Sequence, residues 1–156
     1  MDKNFFITTP IYYPSGNPHM GHAYSSIIAD VIARFKRLDG YNVEFLTGTD
    51  EHGLKIQRAA EEKGLDPKKF CDELSKTFRN LSKTLNLSNT DFIRTTEDRH
   101  IKSVQNLWKI LEKKNQIYLS KYSGWYSVSD EAFYSDNEIK EENGINISTI
   151  SGSKVE

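Results

Sequence analysis

The length of 156 residues suits one domain, or one domain and the beginning of a second. The chain has 21 Lys and Arg against 22 Asp and Glu, and the resulting net charge of −1 excludes a strongly cationic nucleic-acid-binding coat, although a local basic face is still compatible with it. With 37% apolar residues, 8 Phe, 8 Tyr and 2 Trp, the composition also excludes disorder over most of the length.

The cysteine usage is typical of a reducing compartment. Cys71 is the one cysteine of the chain, which excludes an internal disulfide and a cysteine-rich zinc cluster. No apolar run approaches the ~20 residues needed to span a bilayer, and the first residues do not have the pattern of a secretory signal. We therefore expect a cytoplasmic protein that has no membrane partner.

The first part of the chain alternates between strand-like and helix-like patterns. Apolar runs predict strands, and apolar residues at three- and four-residue steps predict helices. The predicted elements are a strand at 5–8, a proline-rich loop at 10–20, a helix at 21–39, a strand at 42–46, a loop at 47–53, helices at 54–63 and from 66, a strand at 91–95, and a further helix. This alternation predicts an α/β fold in which helices cover a parallel sheet.

Three of the predicted helices carry apolar residues at helical spacing. The first has Ile27, Ile28, Val31, Ile32 and Phe35, and the helix from 66 has Phe70, Leu74, Phe78, Leu81 and Leu85. The last helix is expected to be capped by Thr95, with Glu97 and Asp98 in its first turn, where the positive end of the helix dipole favours acidic residues. Its expected buried face is Val104, Leu107, Trp108 and Leu111.

The character of the sequence changes near residue 116. Short aromatic strands are predicted at 117–119, 124–128 and 132–134, and from residue 137 the chain is polar and shows no closing element. We therefore expect one domain at 1–116 and the beginning of a small β-rich domain at 117–156.

Two histidines stand where the first loop meets the first long helix. His19 and His22 are three residues apart, so they project to the same side of the helix start. Backbone N–H groups at a helix N-terminus attract phosphate, imidazole N–H groups add donors, and Gly21 lets a flat ring or a phosphate approach the backbone. The pattern favours a nucleotide phosphate site at the end of the first strand. The same spacing is compatible with ordinary polar histidines, and a metal site would need further ligands that the neighbouring sequence does not offer.

The loop at 47–53 carries a carboxylate, Asp50, directly after the second strand. A carboxylate at the mouth of a parallel sheet can hold a substrate amine or a ribose hydroxyl. Asp is also a common N-cap, and Asp50 precedes a helical stretch, so both interpretations stand on the residues alone. His52 and His100 are expected to be hydrogen-bonded structural histidines, and Cys71 a small buried apolar residue.

Four segments together resemble the class I aminoacyl-tRNA synthetases, in particular those specific for methionine. The HMGH at 19–22 is similar to the HIGH signature of the class, which is a weak signal alone because related nucleotidyltransferases also carry it. The resemblance becomes specific with the longer strings, which are ITTPIYYPSGNPHMGHAY at 7–24, ADVIARFKRLDGY at 29–41, FLTGTDEHG at 45–53 and DFIRTTEDRH at 91–100. It runs over essentially the whole chain.

The resemblance implies a two-step reaction. ATP, with its Mg²⁺, and L-methionine give methionyl-adenylate and pyrophosphate, and methionine then passes to the 3′ end of tRNA(Met). By resemblance, His19 and His22 stabilise the ATP phosphates, Gly21 lies against the adenine, and Asp50 binds the methionine α-ammonium group. Ile11 and Tyr13 match residues that line the methionine pocket, and an apolar, aromatic-lined pocket suits an unbranched thioether.

The same resemblance shapes the expected fold. It implies the first half of a Rossmann-like nucleotide-binding domain, followed by the start of a connective insertion. Relatives often carry a zinc knuckle in that insertion, but here Ser127 and Asp130 stand where the knuckle would begin with cysteines, so we expect no structural zinc.

The second half-sheet, the KMSKS loop and the anticodon-binding domain of the family have no counterpart in the sequence. We therefore expect an N-terminal portion that is inactive alone, its missing half supplied by the same or another chain.

Two alternatives remain at this point. A small nucleotidyltransferase with a HIGH-like loop can be complete near this length, although the DEHG block fits a synthetase better. A degenerate, non-catalytic fragment is the other alternative, against which the intact His19, Gly21, His22 and Asp50 argue.

Overall fold

The computed structural model of the chain describes residues 3–156. Residues 1 and 2, which open the expected 1–116 domain, lie outside the described part. The chain divides into two compact units, Met1–Leu107 and Trp108–Glu156. The domain boundary near residue 116 stays a prediction. No helix within residues 3–156 is long and apolar enough to cross a membrane.

The first unit contains a parallel three-stranded sheet in the order β1-β2-β3, with helices in the connections. Its elements are β1 (Asn4–Thr8), α1 (Met20–Leu38), β2 (Asn42–Thr49), α2 (Leu54–Glu62), α3 (Pro67–Thr84) and β3 (Asp91–Arg94), and α4 (Asp98–Lys113) begins in the same unit. Phe5 pairs with Val43 at one end of the sheet, and Thr49 pairs with Arg94 at the other. The predicted α/β fold and the order of its elements are confirmed.

The core of this unit forms where the helices meet the sheet. Phe45 of β2 is fully buried against small residues of α1, and Phe70 of α3 is buried against Ile56 of α2. The strands approach so closely at Gly48 that an added Cβ would lie 2.0 Å from the backbone oxygen of Ile93. β2 can therefore carry only glycine at this position.

Helix α1 packs against the sheet with its small residues. Ala29 and Ala33 are buried, whereas Val31 and Phe35 are each 61% exposed. The periodicity correctly predicted a helix, but its large apolar side chains do not lie on the side of the helix that faces β1 and β2. Small side chains let the helix lie close to the sheet, and the large ones form an exposed apolar face.

The burial and the first residue of helix α4 both differ from what the sequence predicted. None of its 16 residues is buried, so the expected buried face is wrong: Val104, Leu107 and Trp108 are about half exposed. An amphipathic pattern buries its apolar side only where a partner covers it. The helix also begins at Asp98, three residues after the expected cap. Thr95 does not cap it, because its hydroxyl bonds to the loop after β2 instead.

The second unit is built from two antiparallel hairpins. One pairs β4 (Trp125–Ser127) with β5 (Ala132–Tyr134), and the other pairs β6 (Ile139–Glu142) with β7 (Ile145–Ser148). The strand expected at 117–119 is wrong, since these residues have no regular structure and Leu119 is fully exposed.

The sequence interpretation also missed the second hairpin. Its turn is Asn143-Gly144, and both residues have positive φ angles, 54° and 75°. Asn-Gly between two strand-like runs is the strongest short-range signal of a tight hairpin, so this element was readable from the sequence.

Candidate functional site

A cavity of about 550 Å³ opens beside the loop that leaves β1. The volume is within the range of small-molecule sites, which is roughly 300–1,000 Å³. Five of the six residues expected to form a site line it, namely Ile11, Tyr13, His19, Gly21 and His22. The fold therefore brings the histidines and the expected apolar pocket residues to one place.

Local hydrogen bonds fix the proton position on both histidine rings. The backbone N–H of Gly21 donates to His19 Nδ1 at 3.1 Å, and the backbone N–H of His19 donates to His22 Nδ1, also at 3.1 Å. A backbone N–H can only donate, so both Nδ1 atoms are unprotonated in these contacts. Each neutral ring therefore carries its proton on Nε2, where it is available to donate to a ligand.

The surroundings of His22 favour its neutral form. Burial, followed by the nearby His19, lowers the pKa of His22 below its usual 6.5. The edge of the ring meets the buried Tyr12 and Phe78 at centroid distances of 4.8 and 5.1 Å. Tyr12 is anchored in turn by a 2.6 Å hydrogen bond between its hydroxyl and that of Ser26. Tyr12 thus supports the ring from within the core, a role that the sequence interpretation did not assign.

Gly21 makes room for the ring of His19. A Cβ at this position would lie 3.0 Å from His19 Cε1 and 3.1 Å from Nδ1, which is tighter than ordinary contact. The ring packs over the backbone because no side chain intervenes. The packing of the His19 ring therefore explains why residue 21 is glycine, which the resemblance alone did not explain.

Asp50 lies beside the cavity rather than in its lining. Its backbone N–H donates to the carbonyl of Tyr12 at 2.8 Å, so it is tied to the segment that carries Ile11 and Tyr13. Helix α2 has Gly53 as its N-cap, so the interpretation of Asp50 as the cap of that helix is wrong. The Asp50 carboxylate instead accepts a hydrogen bond from the hydroxyl of Thr95 at 3.4 Å.

A buried ion pair stands directly beside Asp50. Glu51 has a side chain with no exposed area, and Arg94 donates to it from Nε at 2.6 Å and from a terminal nitrogen at 2.9 Å. Burial on its own would raise the pKa of the Glu51 carboxyl, but hydrogen bonds from Arg94, Thr96 and Thr49 outweigh that effect and lower it. The carboxylate is therefore held in its charged form.

The sequence interpretation missed the pair, although one signal was present. Arg94 ends β3 and Thr95 follows it, just as Asp50 and Glu51 follow β2. The carboxyl ends of parallel strands converge at the same edge of a sheet.

Two further residues have the structural roles expected of them. Cys71 is buried in α3, as predicted, and burial followed by the charge of Glu51 raises the pKa of its thiol to about 11. A thiol with so high a pKa is a poor nucleophile. His52 has a hydrogen-bonding contact through Nδ1 with the hydroxyl of Thr95 at 3.1 Å.

Parallel strands, a histidine-bearing loop at a helix start and a carboxylate at the next strand end are the features that the resemblance to class I synthetases predicts, and they lie at the strand ends where α/β sheets bind ligands. Comparisons with known proteins make the assignment specific. The family model for class I tRNA synthetases (M) matches residues 5–152, and the chain belongs to that family.

Individual relatives agree with the family assignment. The methionine–tRNA ligase of Listeria monocytogenes serovar 1/2a is 51% identical over 99% of this chain and 24% of its own length. The mitochondrial methionine–tRNA ligase of Takifugu rubripes is 49% identical over 99% of this chain and 27% of its own length. The chain thus spans about a quarter of the curated relatives that it matches.

The solved structures give the same result. The Mycobacterium tuberculosis methionyl-tRNA synthetase in complex with methionyl-adenylate has a TM-score of 0.93 and 44% identity, over 99% of this chain and 30% of that one. The expected Rossmann-like fold of the class is therefore confirmed.

Proposed function

We propose that this chain supplies the ATP- and methionine-binding part of a methionine–tRNA ligase. In the first step, an oxygen of the methionine carboxylate attacks the α-phosphorus of Mg²⁺-bound ATP, and pyrophosphate leaves. In the second step, the ribose hydroxyl at the 3′ end of tRNA(Met) attacks the activated carbonyl and AMP leaves. The observation that carries the proposal is the pair of histidines whose Nδ1 atoms are occupied by backbone N–H groups beside a ligand-sized cavity.

The histidines act as hydrogen-bond donors to phosphate in this proposal. His19 and His22 each present a neutral Nε2–H, and the first N–H groups of α1 add the positive end of the helix dipole. Negative charge on the phosphate oxygens is rearranged as the α-phosphorus–oxygen bond breaks, and fixed donors stabilise it without reorganisation. Gly21 lies on the same helix turn, and we place the adenine against its backbone.

Methionine is held at the neighbouring strand end. We place its α-ammonium group on the Asp50 carboxylate and its thioether against Ile11 and Tyr13. Both apolar side chains are partly exposed, at 41% and 47%, so they offer surface to a ligand. Excluding near-isosteric amino acids is hard for such a pocket, because one methylene changes binding by only about 1–3 kcal/mol.

A chimeric enzyme tests this function. This chain replaces the matching quarter of the Listeria monocytogenes ligase, to which it is 51% identical, and methionine-dependent exchange of pyrophosphate into ATP is measured. We expect exchange that depends on L-methionine and is lost in Asp50→Asn. No exchange from a folded chimera would refute the proposal. Nucleotidyl transfer to a phosphorylated alcohol by this chain alone would instead favour the small nucleotidyltransferase.

We propose that the second unit holds no zinc. Asp130 accepts hydrogen bonds from the hydroxyls of Ser151 at 2.6 Å, Tyr134 at 2.8 Å and Ser153 at 2.9 Å, which lower its pKa to about 2. Neutral hydroxyls are not the thiolate and imidazole ligands that zinc prefers, so the donor set does not fit the metal. The hydrogen bonds hold the β4–β5 turn in place of a metal. Stoichiometric zinc in the purified protein would refute this.

The exposed apolar faces support a further part of the proposal. Phe35 and Val31 on α1, and Leu107 on α4, are each more than half exposed. We propose that the portion of the ligase outside the matched quarter covers these faces, whether in this chain or another, and that the 156 residues alone do not catalyse exchange.

We place the ligase in the cytoplasm, since a single buried thiol suits a reducing compartment. Cell fractionation tests the location.

A further inference from the structure

The ion pair beside Asp50 belongs to a larger set of polar contacts, in which Arg94 also donates to Asp72 at 2.6 Å. Four donors converge on the Glu51 carboxylate: two from Arg94, one from Thr49 at 2.7 Å and one from Thr96 at 2.5 Å. Well-packed apolar residues often replace a buried ion pair with no loss of stability, so such a pair is weak evidence of a stabilising role. Its position in the chain suggests another role, because Glu51 follows Asp50 and Arg94 precedes Thr95.

The hydroxyl of Thr95 has three partners, and its chemistry assigns each of them a direction. The backbone N–H of Glu51 donates to Thr95 Oγ1 at 2.8 Å, His52 Nδ1 lies at 3.1 Å, and Asp50 Oδ1 lies at 3.4 Å. A hydroxyl has one proton and two lone pairs. All three contacts are satisfied when His52 donates through a protonated Nδ1 and the Thr95 proton points to Asp50. His52 then has the opposite tautomer to His19 and His22.

We propose that Glu51 and Arg94 are positioning residues for the methionine site, a proposal that rests on the proposed function. The pair joins the residue after Asp50 to the residue before Thr95, and so it fixes the separation between the carboxylate and the hydroxyl. With one Asp50 oxygen held by Thr95, the other is presented to the ammonium group in a defined direction. His52 and Thr95 complete the arrangement, and neither needs to touch the substrate.

The experiment combines L-methionine titration with imidazole nitrogen NMR on the isotope-labelled chain. Glu51→Gln is nearly isosteric but removes one of the two carboxylates that hold Arg94, the other being Asp72 at 2.6 Å. Arg94→Lys keeps the charge but loses the two-point contact. The matched control is Asp91→Asn, because Asp91 also forms a two-point ion pair on β3, with Arg99, and lies away from Asp50. Asp50→Asn reports on the methionine site itself.

We expect the wild-type chain to show His52 protonated at Nδ1. Glu51→Gln should weaken methionine binding about tenfold and convert His52 to a mixture of tautomers, with circular dichroism unchanged. Arg94→Lys should be intermediate, and Asp91→Asn should match the wild type. Wild-type binding and an unchanged His52 signal in Glu51→Gln would overturn the positioning role while leaving the proposed function intact.

Failure of the methionine site gives a different result. If neither the wild type nor Asp50→Asn responds to methionine, the proposed binding of methionine by this chain fails. The His52 signal, which needs no ligand, then tests whether Glu51 and Arg94 fix the Asp50–Thr95 arrangement: a tautomer unaffected by both substitutions overturns this, and a tautomer lost in both supports it without assigning methionine as the ligand. If Glu51→Gln does not fold, Arg94→Lys decides by the same two readouts.

Discussion

The loop that lines the cavity and the loop that lies beside it are held in opposite ways. In the loop after β1, His19 and His22 are fixed by backbone N–H groups two and three residues away. In the loop after β2, Asp50 and Glu51 are fixed by side chains of β3 and its following turn, 43 to 45 residues away. The hydrogen bonds to the two histidine rings are therefore local, whereas those to the two carboxylates depend mainly on the pairing of two strands.

Substitution of Gly48 should have the largest effect, because it disrupts the strand pairing that supports the carboxylate loop and not the histidine loop. Gly48→Ala places a Cβ 2.0 Å from the Ile93 backbone oxygen, so β2 and β3 must move apart and the carboxylate loop loses its support. We expect a loss of about 3 kcal/mol in the free energy of unfolding, measured by urea denaturation. Gly16→Ala is the control, because no atom lies within 4 Å of its added Cβ. Equal stability of the two variants would contradict the close approach of the strands.

His19→Asn tests the histidine loop without removing its helix cap. Asparagine is a good N-cap and retains an acceptor for the Gly21 N–H, but it lacks the imidazole Nε2–H. In the chimeric ligase we expect methionine-dependent exchange to fall about a hundredfold, with KM for methionine nearly unchanged. A large rise in that KM with an unaltered kcat would place His19 at the amino acid rather than at the phosphates.

Gly21→Ala should move stability and activity in opposite directions. Alanine gains up to about 1 kcal/mol over glycine within a helix, but its Cβ would crowd the His19 ring at 3.0 Å. We expect unfolding at equal or higher urea concentration and several-fold slower exchange in the chimera. An unchanged exchange rate would show that the ring of His19 does not need its present position.

Acid should weaken the two loops in different pH windows. The pKa of His22 is lowered in the folded chain, so the unfolded chain binds more protons as the pH falls below 6.5. The contribution of His22 to the stability of the folded chain is therefore lost below that pH. The pKa of Glu51 is also lowered, and its contribution is present above 4.5 and lost as the pH falls through the folded value.

Stability curves against pH for the wild type, His22→Gln and Glu51→Gln measure these contributions. The wild type should lose its advantage over His22→Gln first and its advantage over Glu51→Gln at lower pH. The reverse order would contradict the assignment of the two groups.

The sequence predicted what depends on neighbours along the chain. The helices and strands of the first unit follow from periodicity and breakers, and the His19–His22 spacing predicted two rings on the same side, whose centroids lie 3.9 Å apart and which line one cavity. The Glu51–Arg94 pair was not predicted, because it follows from the convergence of two strand ends and not from neighbours along the chain. The buried face assigned to α4 was wrong for a related reason. Periodicity identifies an apolar side such as that of Leu107, but it does not show whether a partner covers that side.

The most direct test of the phosphate-binding role is imidazole nitrogen NMR of this chain during titration with MgATP. Before ATP is added, we expect His19 and His22 to be protonated at Nε2 and unprotonated at Nδ1. On addition of ATP, the Nε2 signals of both rings should shift, and His19→Asn, which lacks one ring, identifies the signal of the other. Protonation at Nδ1 in the free chain, or a titration in which neither ring responds, would contradict the account.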